Sequence, residues 1–134
     1  MSQGRRANRN GTSVEEIIEH TLSAKGYHVR RQYYIGKSIF DTGTYADLFV
    51  EGLPLFPNGL IIESKWQETR GTAEEKVVYL VTNIQNCYPC PTIIIADGGG
   101  HRPGVLQWLR RQAGQGRLLA VFSIMEFIRW SNTL

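Results

Sequence analysis

The sequence has no apolar run that approaches the ~18 residues a membrane-spanning helix needs. Residues 1–10 are polar and hold no apolar segment of the kind that a signal peptide requires. We therefore expect a soluble, cytoplasmic protein without a membrane partner. With 134 residues, 42% of them hydrophobic, the chain has the size and composition of one globular domain.

Cysteine is scarce, and its arrangement argues against two further classes of protein. The chain has only Cys87 and Cys90, in a single C-x-x-C. No second pair stands at the spacing of a structural zinc site. The pair follows a predicted helix, whereas a thioredoxin-like redox motif opens one. We interpret the two cysteines as incidental thiols near a turn.

The charge of the chain is only mildly basic, with a formal net charge of +3. This balance permits nucleic-acid binding without establishing it, and scattered solvated charge explains it equally well. We expect residues 1–12 to form a flexible basic arm and residues 13–134 to form a single domain. Six basic residues in the arm, after the first helix and before a late helix are candidate DNA contacts: Arg5, Arg6, Arg9, Arg30, Arg31 and Arg102.

The most informative segment is residues 59–67, with the sequence Gly-Leu-Ile-Ile-Glu-Ser-Lys-Trp-Gln. Its apolar and polar residues alternate with a period of two, which predicts a buried strand. One face of that strand carries Glu63, Lys65 and Gln67. Burying such groups without partners or a metal costs several kcal/mol, roughly, so this face requires a chemical explanation.

Periodicity and turn signals predict the order of the other elements. They indicate a helix from Thr12 or Ser13 to Gly26, strands at 27–35, 45–50 and 59–67, a helix at 72–86, a strand at 92–97, a helix at 103–113, a strand at 118–122 and a helix at 123–130. Two helices begin with a capping box. The helix between the third and fourth strands predicts a crossover connection.

The first helix has acidic residues in its early turns. Glu15 shares a face with Ile18 and Leu22, whereas Glu16 aligns with a polar face. We therefore expect Glu15 to be the carboxylate that faces the interior. Solvated acids at a helix start, where the helix dipole favours negative charge, explain these residues equally well.

An acidic helix, then Asp47 on one strand and Glu63-Ser64-Lys65 on the next, resembles the PD-(D/E)XK nuclease superfamily. Ala46-Asp47 replaces the proline-aspartate of the family, while the E-x-K part is complete. The resemblance covers about residues 11–97. It implies an α/β, restriction-endonuclease-like αβββαβ core, with a central mixed sheet flanked by helices and with extra C-terminal helices.

Within the superfamily, the start of the chain is most similar to archaeal-type Holliday-junction resolvases. The similar residues are Gly11, Glu15 and the Gly26-Tyr27 pair. In those proteins a glutamate at this position joins the metal site. The resemblance therefore implies that Glu15 is a third ligand, either through water or to a second metal.

The chemistry of the residues fits phosphodiester hydrolysis independently of the family. Carboxylates are hard oxygen ligands suited to Mg²⁺ or Mn²⁺, and Asp47 and Glu63 are the candidate ligands, with the Ser64 carbonyl as a backbone ligand. Lys65 could orient or deprotonate the attacking water and stabilise the developing charge. Gln67, on the same face, could hold the lysine or a phosphate.

We therefore expect a Mg²⁺-dependent DNA endonuclease with a restriction-like, homing-type or resolvase-like role. So small a domain leaves little surface for reading sequence, which favours a homodimer or higher homo-oligomer. The alternative is a non-catalytic nucleic-acid-binding module, or a nuclease subunit of a larger DNA-processing complex. A redox or zinc protein built on Cys87 and Cys90 is the third possibility.

Overall fold

Alternating stretches rich in β-branched and aromatic residues form one mixed sheet in the computed structural model, which describes residues 14–66, 73–97 and 103–134. Five strands lie in this sheet within those ranges, in the spatial order of their numbering. They are β1 (His28–Lys37), β2 (Gly43–Glu51), β3 (Leu60–Trp66), β4 (Thr92–Asp97) and β5 (Leu118–Phe122). The pairs β1–β2 and β2–β3 are antiparallel, whereas β3–β4 and β4–β5 are parallel.

Four helices flank the sheet in the described part of the chain. They are α1 (residues 14–23), α2 (Ala73–Asn86), α3 (Pro103–Gln112) and α4 (Ile124–Ser131). The predicted αβββαβ core with extra C-terminal helices is thereby confirmed. Ser123 caps α4 in the predicted capping box with Glu126. None of the helices, within the residues described, combines the length and apolar character that a membrane span requires.

The sheet separates two apolar cores, because each central strand is buried on both faces. The α1/α4 core includes Ile18, Leu22 and Phe127 from the helices and Leu48, Leu60, Ile62, Ile93 and Ile95 from the strands. The α2/α3 core includes Val77, Val81, Ile84 and Leu109 from the helices and Ala46, Phe49, Ile61, Ile94 and Ala96 from the strands. The predicted alternation of residues 60–62 is confirmed, and β4 is likewise buried on both faces.

The first hairpin is longer than its sequence predicts. Its two strands are predicted at residues 27–35 and 45–50, but β1 continues to Lys37 and β2 already begins at Gly43. The pairing survives because the register shifts between Tyr34 and Gly36, and Gly36 adopts a φ of 122° that side-chain-bearing residues rarely accept. Gly36 thus lets the first strand bend and continue beyond its predicted end.

Candidate active site

The strands β2 and β3 separate where the two predicted metal ligands would meet. The last paired residues are Leu48 on β2 and Ile62 on β3, and the next residues on the two strands are Asp47 and Glu63. The antiparallel register places these acids opposite each other where the strands diverge. We call this point the acid fork. Backbone N–H groups released at the end of a ladder need new acceptors.

The two carboxylates supply those acceptors. The backbone N–H of Ser64 donates to Oδ2 of Asp47 at 2.9 Å, and the backbone N–H of Asp47 lies 3.4 Å from Oε1 of Glu63. The carboxylate of each acid thus faces a backbone N–H of the opposite strand. The end of the ladder therefore fixes the positions of both carboxylates.

The carboxylate of Glu63 is buried, and a tyrosine outside the predicted motif holds it. Glu63 is 2% exposed and its Oε2 accepts a 2.5 Å hydrogen bond from the Tyr88 hydroxyl. Burial, together with the charge of Glu63, raises the pKa of Tyr88 far above its usual value. The hydroxyl therefore remains protonated and acts as the donor. Tyr88 is in turn anchored by its backbone N–H, which donates to the Asn83 carbonyl at 3.0 Å.

The side-chain alternation of β2 reverses at Asp47. Ala46 and Leu48 lie two residues apart, and strict alternation would place them on the same face. Leu48 instead belongs to the α1/α4 core, whereas Ala46 belongs to the α2/α3 core. Asp47 thus lies at the residue where the side chains of β2 change from one face of the sheet to the other. The pairing of β2 with β3 ends at the same place.

The neighbouring strand β1 reverses its alternation at the residue opposite Asp47. Arg31 points to the acids of α1, but Tyr33 stacks on the side of the α2/α3 core. Gln32, between them, has a φ of 49°, in the left-handed region that costs a non-glycine residue roughly 1–2 kcal/mol. Its Nε2 lies 3.5 Å from Oδ1 of Asp47. This strained residue therefore contacts one of the two acids directly.

The structure places the other predicted site residues as follows. Lys65 is on β3, paired with Ala96, but its side chain lies outside the described residues. Five further predicted residues also lie outside them: Arg5, Arg6, Arg9, Gln67 and Arg102. Of the predicted ligands, Asp47 and Glu63 are brought together at the acid fork, with the Ser64 backbone between them.

Glu15 is oriented as expected but is paired with an arginine. Its side chain is 23% exposed and Oε1 lies 3.8 Å from Nη1 of Arg31, whereas Glu16 is exposed. Its helix, α1, packs on the face of the sheet opposite to the one that carries Glu63. Among the described residues, no three His, Cys, Asp or Glu side chains lie close enough to hold one metal ion. The described part of the site is therefore a two-carboxylate arrangement.

The arginines of β1 that are candidate DNA contacts both form ion pairs. Nε of Arg30 lies 2.9 Å from Glu51, and Nε of Arg31 lies 2.8 Å from Glu19. These pairs are exposed to solvent, so each contributes little to stability and weakens with salt. A phosphate that approached either guanidinium would have to compete with a carboxylate.

Cys87 and Cys90 are both free thiols. Burial raises the pKa of the Cys90 thiol above its usual value, and its Sγ lies 3.2 Å from the Asn58 carbonyl oxygen. A buried protonated thiol is a poor metal ligand and a poor nucleophile. This environment agrees with the interpretation of Cys90 as an incidental thiol.

The donors at the acid fork fit a hard divalent cation. Mg²⁺ is commonly held by one or two carboxylates, with water and substrate oxygens as the other ligands. Asp47 and Glu63 supply two such carboxylates on rigid strands. Each carboxylate oxygen can accept more than one contact, so a carboxylate that accepts a hydrogen bond from Ser64 or Tyr88 can also bind a metal.

The sheet order, the crossover through α2 and the acids at the acid fork define a restriction-endonuclease-like fold. A family model described as a PD-(D/E)XK nuclease superfamily domain matches residues 6–134, and the chain belongs to this superfamily. Searches of curated proteins and of solved structures gave no match. Membership indicates a nuclease with a nucleic-acid substrate, and nucleases of this superfamily generally use divalent metals.

Proposed function

We propose that the protein is a DNA endonuclease that depends on Mg²⁺ or Mn²⁺ and hydrolyses phosphodiester bonds at the acid fork. The observation that supports this proposal best is the opposition of Asp47 and Glu63 where β2 and β3 separate. Two hard oxygen donors on rigid, buried strands are expensive to maintain for structure alone. Membership in the nuclease superfamily supplies the class of reaction.

Each residue of the site has a role in this proposal. Asp47 and Glu63 would hold the cation, with the Ser64 carbonyl as a further oxygen ligand. Glu15, whose helix packs on the other face of the sheet, would join only through water or a second metal, and only after its pair with Arg31 opens. When bound, the cation would acidify water and offset the charge of the phosphate. Lys65, two residues beyond Glu63 on β3, would orient or deprotonate the attacking water. Gln67 would hold the lysine or a phosphate oxygen.

A cleavage assay on several DNA forms tests the proposal. Purified protein with Mg²⁺ or Mn²⁺ is incubated with plasmid, linear duplex, single-stranded and four-way-junction DNA. We expect cleavage of at least one form, with loss of cleavage in EDTA and in Lys65→Ala. If no DNA form is cleaved, or if Lys65→Ala cleaves as well as the wild type, the enzymatic proposal is wrong. Salt-dependent DNA binding that survives Glu63→Ala would then favour the non-catalytic alternative.

We also propose that the protein acts as a homodimer or higher homo-oligomer. A domain of this size has little surface beyond the acid fork with which to recognise a DNA sequence. A second copy doubles the surface that can contact DNA. Light scattering coupled to size-exclusion chromatography measures the mass in solution. A monomer at the concentrations used for cleavage would contradict this part of the proposal.

Tyr88→Phe should weaken metal-dependent cleavage without unfolding the protein. Residues that hold a ligand contribute about 10- to 100-fold to metal affinity or activity, and Tyr88 is the described side chain that donates to Oε2 of Glu63. We expect the Mn²⁺ concentration for half-maximal cleavage to rise by about tenfold or more. Direct Mn²⁺ binding, measured by electron paramagnetic resonance, should weaken in parallel.

The matched control for this change is Tyr45→Phe. Tyr45 is exposed and contacts Tyr34 instead of the acid fork. It should leave Mn²⁺ binding and cleavage unchanged. If Tyr88→Phe binds Mn²⁺ like the wild type, the Tyr88 hydroxyl does not position Glu63 for metal binding.

A further inference from the structure

Tyr33 forms an exposed aromatic surface beside the acid fork. Its ring stacks on Phe49 with centroids 4.4 Å apart and an interplanar angle of 11°. Phe49 is buried, whereas Tyr33 is 37% exposed. One face of the tyrosine ring therefore rests on Phe49, and more than a third of the residue is open to solvent.

The register places this ring close to Asp47. The Cα partner of Tyr33 on β2 is Ala46, the neighbour of Asp47, whereas the partner of Phe49 is Arg30. To reach Phe49, the Tyr33 side chain must run back along the hairpin past the position of Asp47. It does so on the side of the α2/α3 core, which is also the side on which Glu63 meets Tyr88.

The strained backbone at Gln32 is what directs Tyr33 to this side. Without the reversal of alternation, Tyr33 would share the face of Arg31 and point towards α1. Left-handed conformations of non-glycine residues persist where the surrounding structure enforces them, and they cluster at functional sites. Here the strain falls on the residue opposite Asp47 and places an aromatic ring beside the acids.

The stack is also closely packed from below. The ring tip of Phe49 occupies the space where Gly59 would carry a Cβ atom, 2.5 Å from Cε1 and closer still to Cζ. An aromatic surface that is fixed before binding loses little conformational freedom when a ligand stacks on it. Among ligands of a nuclease, the group with a matching flat apolar face is a nucleobase.

We infer that Tyr33 stacks on a nucleobase next to the scissile phosphate, and that the substrate carries an unpaired base there. This inference rests on the proposed nuclease function and narrows its substrate class. Bases inside a duplex already stack on both neighbours, so an aromatic side chain can take a base only from a single strand, flap, junction or extruded position. Base–aromatic stacking tolerates any sequence, since every base has a π-face.

Binding without cleavage tests this inference directly. Oligonucleotides with 2-aminopurine at successive positions are titrated with protein in EDTA, as single strands and as duplexes. We expect Tyr33→Ala to weaken single-strand binding about tenfold, and to abolish the fluorescence quenching of one or two adjacent 2-aminopurine positions. Tyr33→Phe should retain both, and duplex binding should change less than about twofold.

Two further variants separate stacking from structure. Tyr33→Leu keeps an apolar cover over Phe49 but has no ring, so it should behave like Tyr33→Ala. Tyr34→Ala removes an exposed tyrosine that contacts Tyr45, on the other face of the hairpin, and should bind single strands like the wild type. If Tyr33→Leu binds like Tyr33→Phe, or if Tyr34→Ala causes the same loss, the inference is wrong.

The outcomes also separate this inference from the proposed function. If no DNA form is cleaved but quenching still depends on Tyr33, the enzymatic proposal fails and the stacking surface stands. If the wild type cleaves duplex and single strand equally and Tyr33→Ala slows neither, the nuclease stands and the stacking inference fails. In an active protein we expect kcat/KM for single strands to fall about tenfold in Tyr33→Ala, with little change for duplex.

Discussion

Glu63→Gln should reduce DNA cleavage on the order of 10³-fold or more, because a metal that acts on a phosphodiester contributes several kcal/mol to transition-state stabilisation. The substitution keeps the size of the side chain and leaves an oxygen that can accept from the Tyr88 hydroxyl. It removes the negative charge and places an amide N–H₂ where a metal ligand is needed. The loss should therefore appear in cleavage and in Mn²⁺ binding, whereas the folded structure remains.

Asp47→Asn serves as a second variant of the site, and Glu16→Gln serves as the control. Asp47→Asn should show a similar loss, since the two acids would share one cation. Glu16 is an exposed acid on α1, so Glu16→Gln changes the net charge equally and should cleave normally. Initial rates in Mg²⁺ and Mn²⁺, with melting temperatures as a check of folding, measure the effect. Wild-type rates in Glu63→Gln would mean that the chemistry occurs elsewhere.

The meeting of Asp47 and Glu63 was predictable because it depends on local rules. The two acids lie on consecutive antiparallel strands, and a period of two sets which residues of each strand share a face. The burial of Ile61 and Ile62 on opposite faces then fixed the orientation of β3. The alternation of the sequence does not predict that the pairing of β2 with β3 ends just before these residues.

Tyr88 and Gln32 could not have been found in this way. Tyr88 reaches Glu63 across 25 residues, and its position depends on where α2 ends and how the following turn is anchored on Asn83. The available signal was weak: a buried tyrosine usually has a hydrogen-bond partner, but a sequence does not name that partner. Gln32 gave no signal, since glutamine is not among the residues enriched in left-handed conformations.

The arginines show a further limit of sequence reasoning. A charge on a strand can be located from its position, but its partner depends on which element packs beside it. Arg31 meets Glu15 and Glu19 because α1 lies across its face of β1, and Arg30 meets Glu51 across the hairpin. Contacts of these arginines with DNA remain a proposal, and they would require these surface pairs to open.

Gly59→Ala should destabilise the protein strongly, although it adds only one methyl group. Gly59 has a φ of 106°, which an alanine adopts at a cost above about 1 kcal/mol. The new Cβ would also lie 2.5 Å from Cε1 of Phe49 and closer still to Cζ of the same ring. Such overpacking costs typically about 1–3 kcal/mol. The total, about 3 kcal/mol, corresponds to a fall in melting temperature on the order of 10 °C.

Gly52→Ala separates the backbone term from the steric one. Gly52 has a similar φ of 99°, but among the described residues its Cβ would meet only Tyr27 at 3.8 Å, an ordinary contact. We therefore expect Gly52→Ala to lower the melting temperature by about a third as much, from the backbone term alone. Equal effects of the two substitutions would show that the Phe49 ring moves away from the new Cβ at no measurable cost in stability.

The ring of Phe49 links this stability effect to the site. If the ring is the obstacle, Gly59→Ala combined with Phe49→Leu should cost less than the sum of the single changes, because the shorter side chain relieves the clash. The alanine should also disturb Tyr33, which stacks on the displaced ring, and single-strand binding should fall together with stability. Gly52→Ala should leave that binding intact. A Gly59→Ala protein that loses stability but binds single strands normally would mean that the Tyr33–Phe49 stack moves as a unit without losing its function.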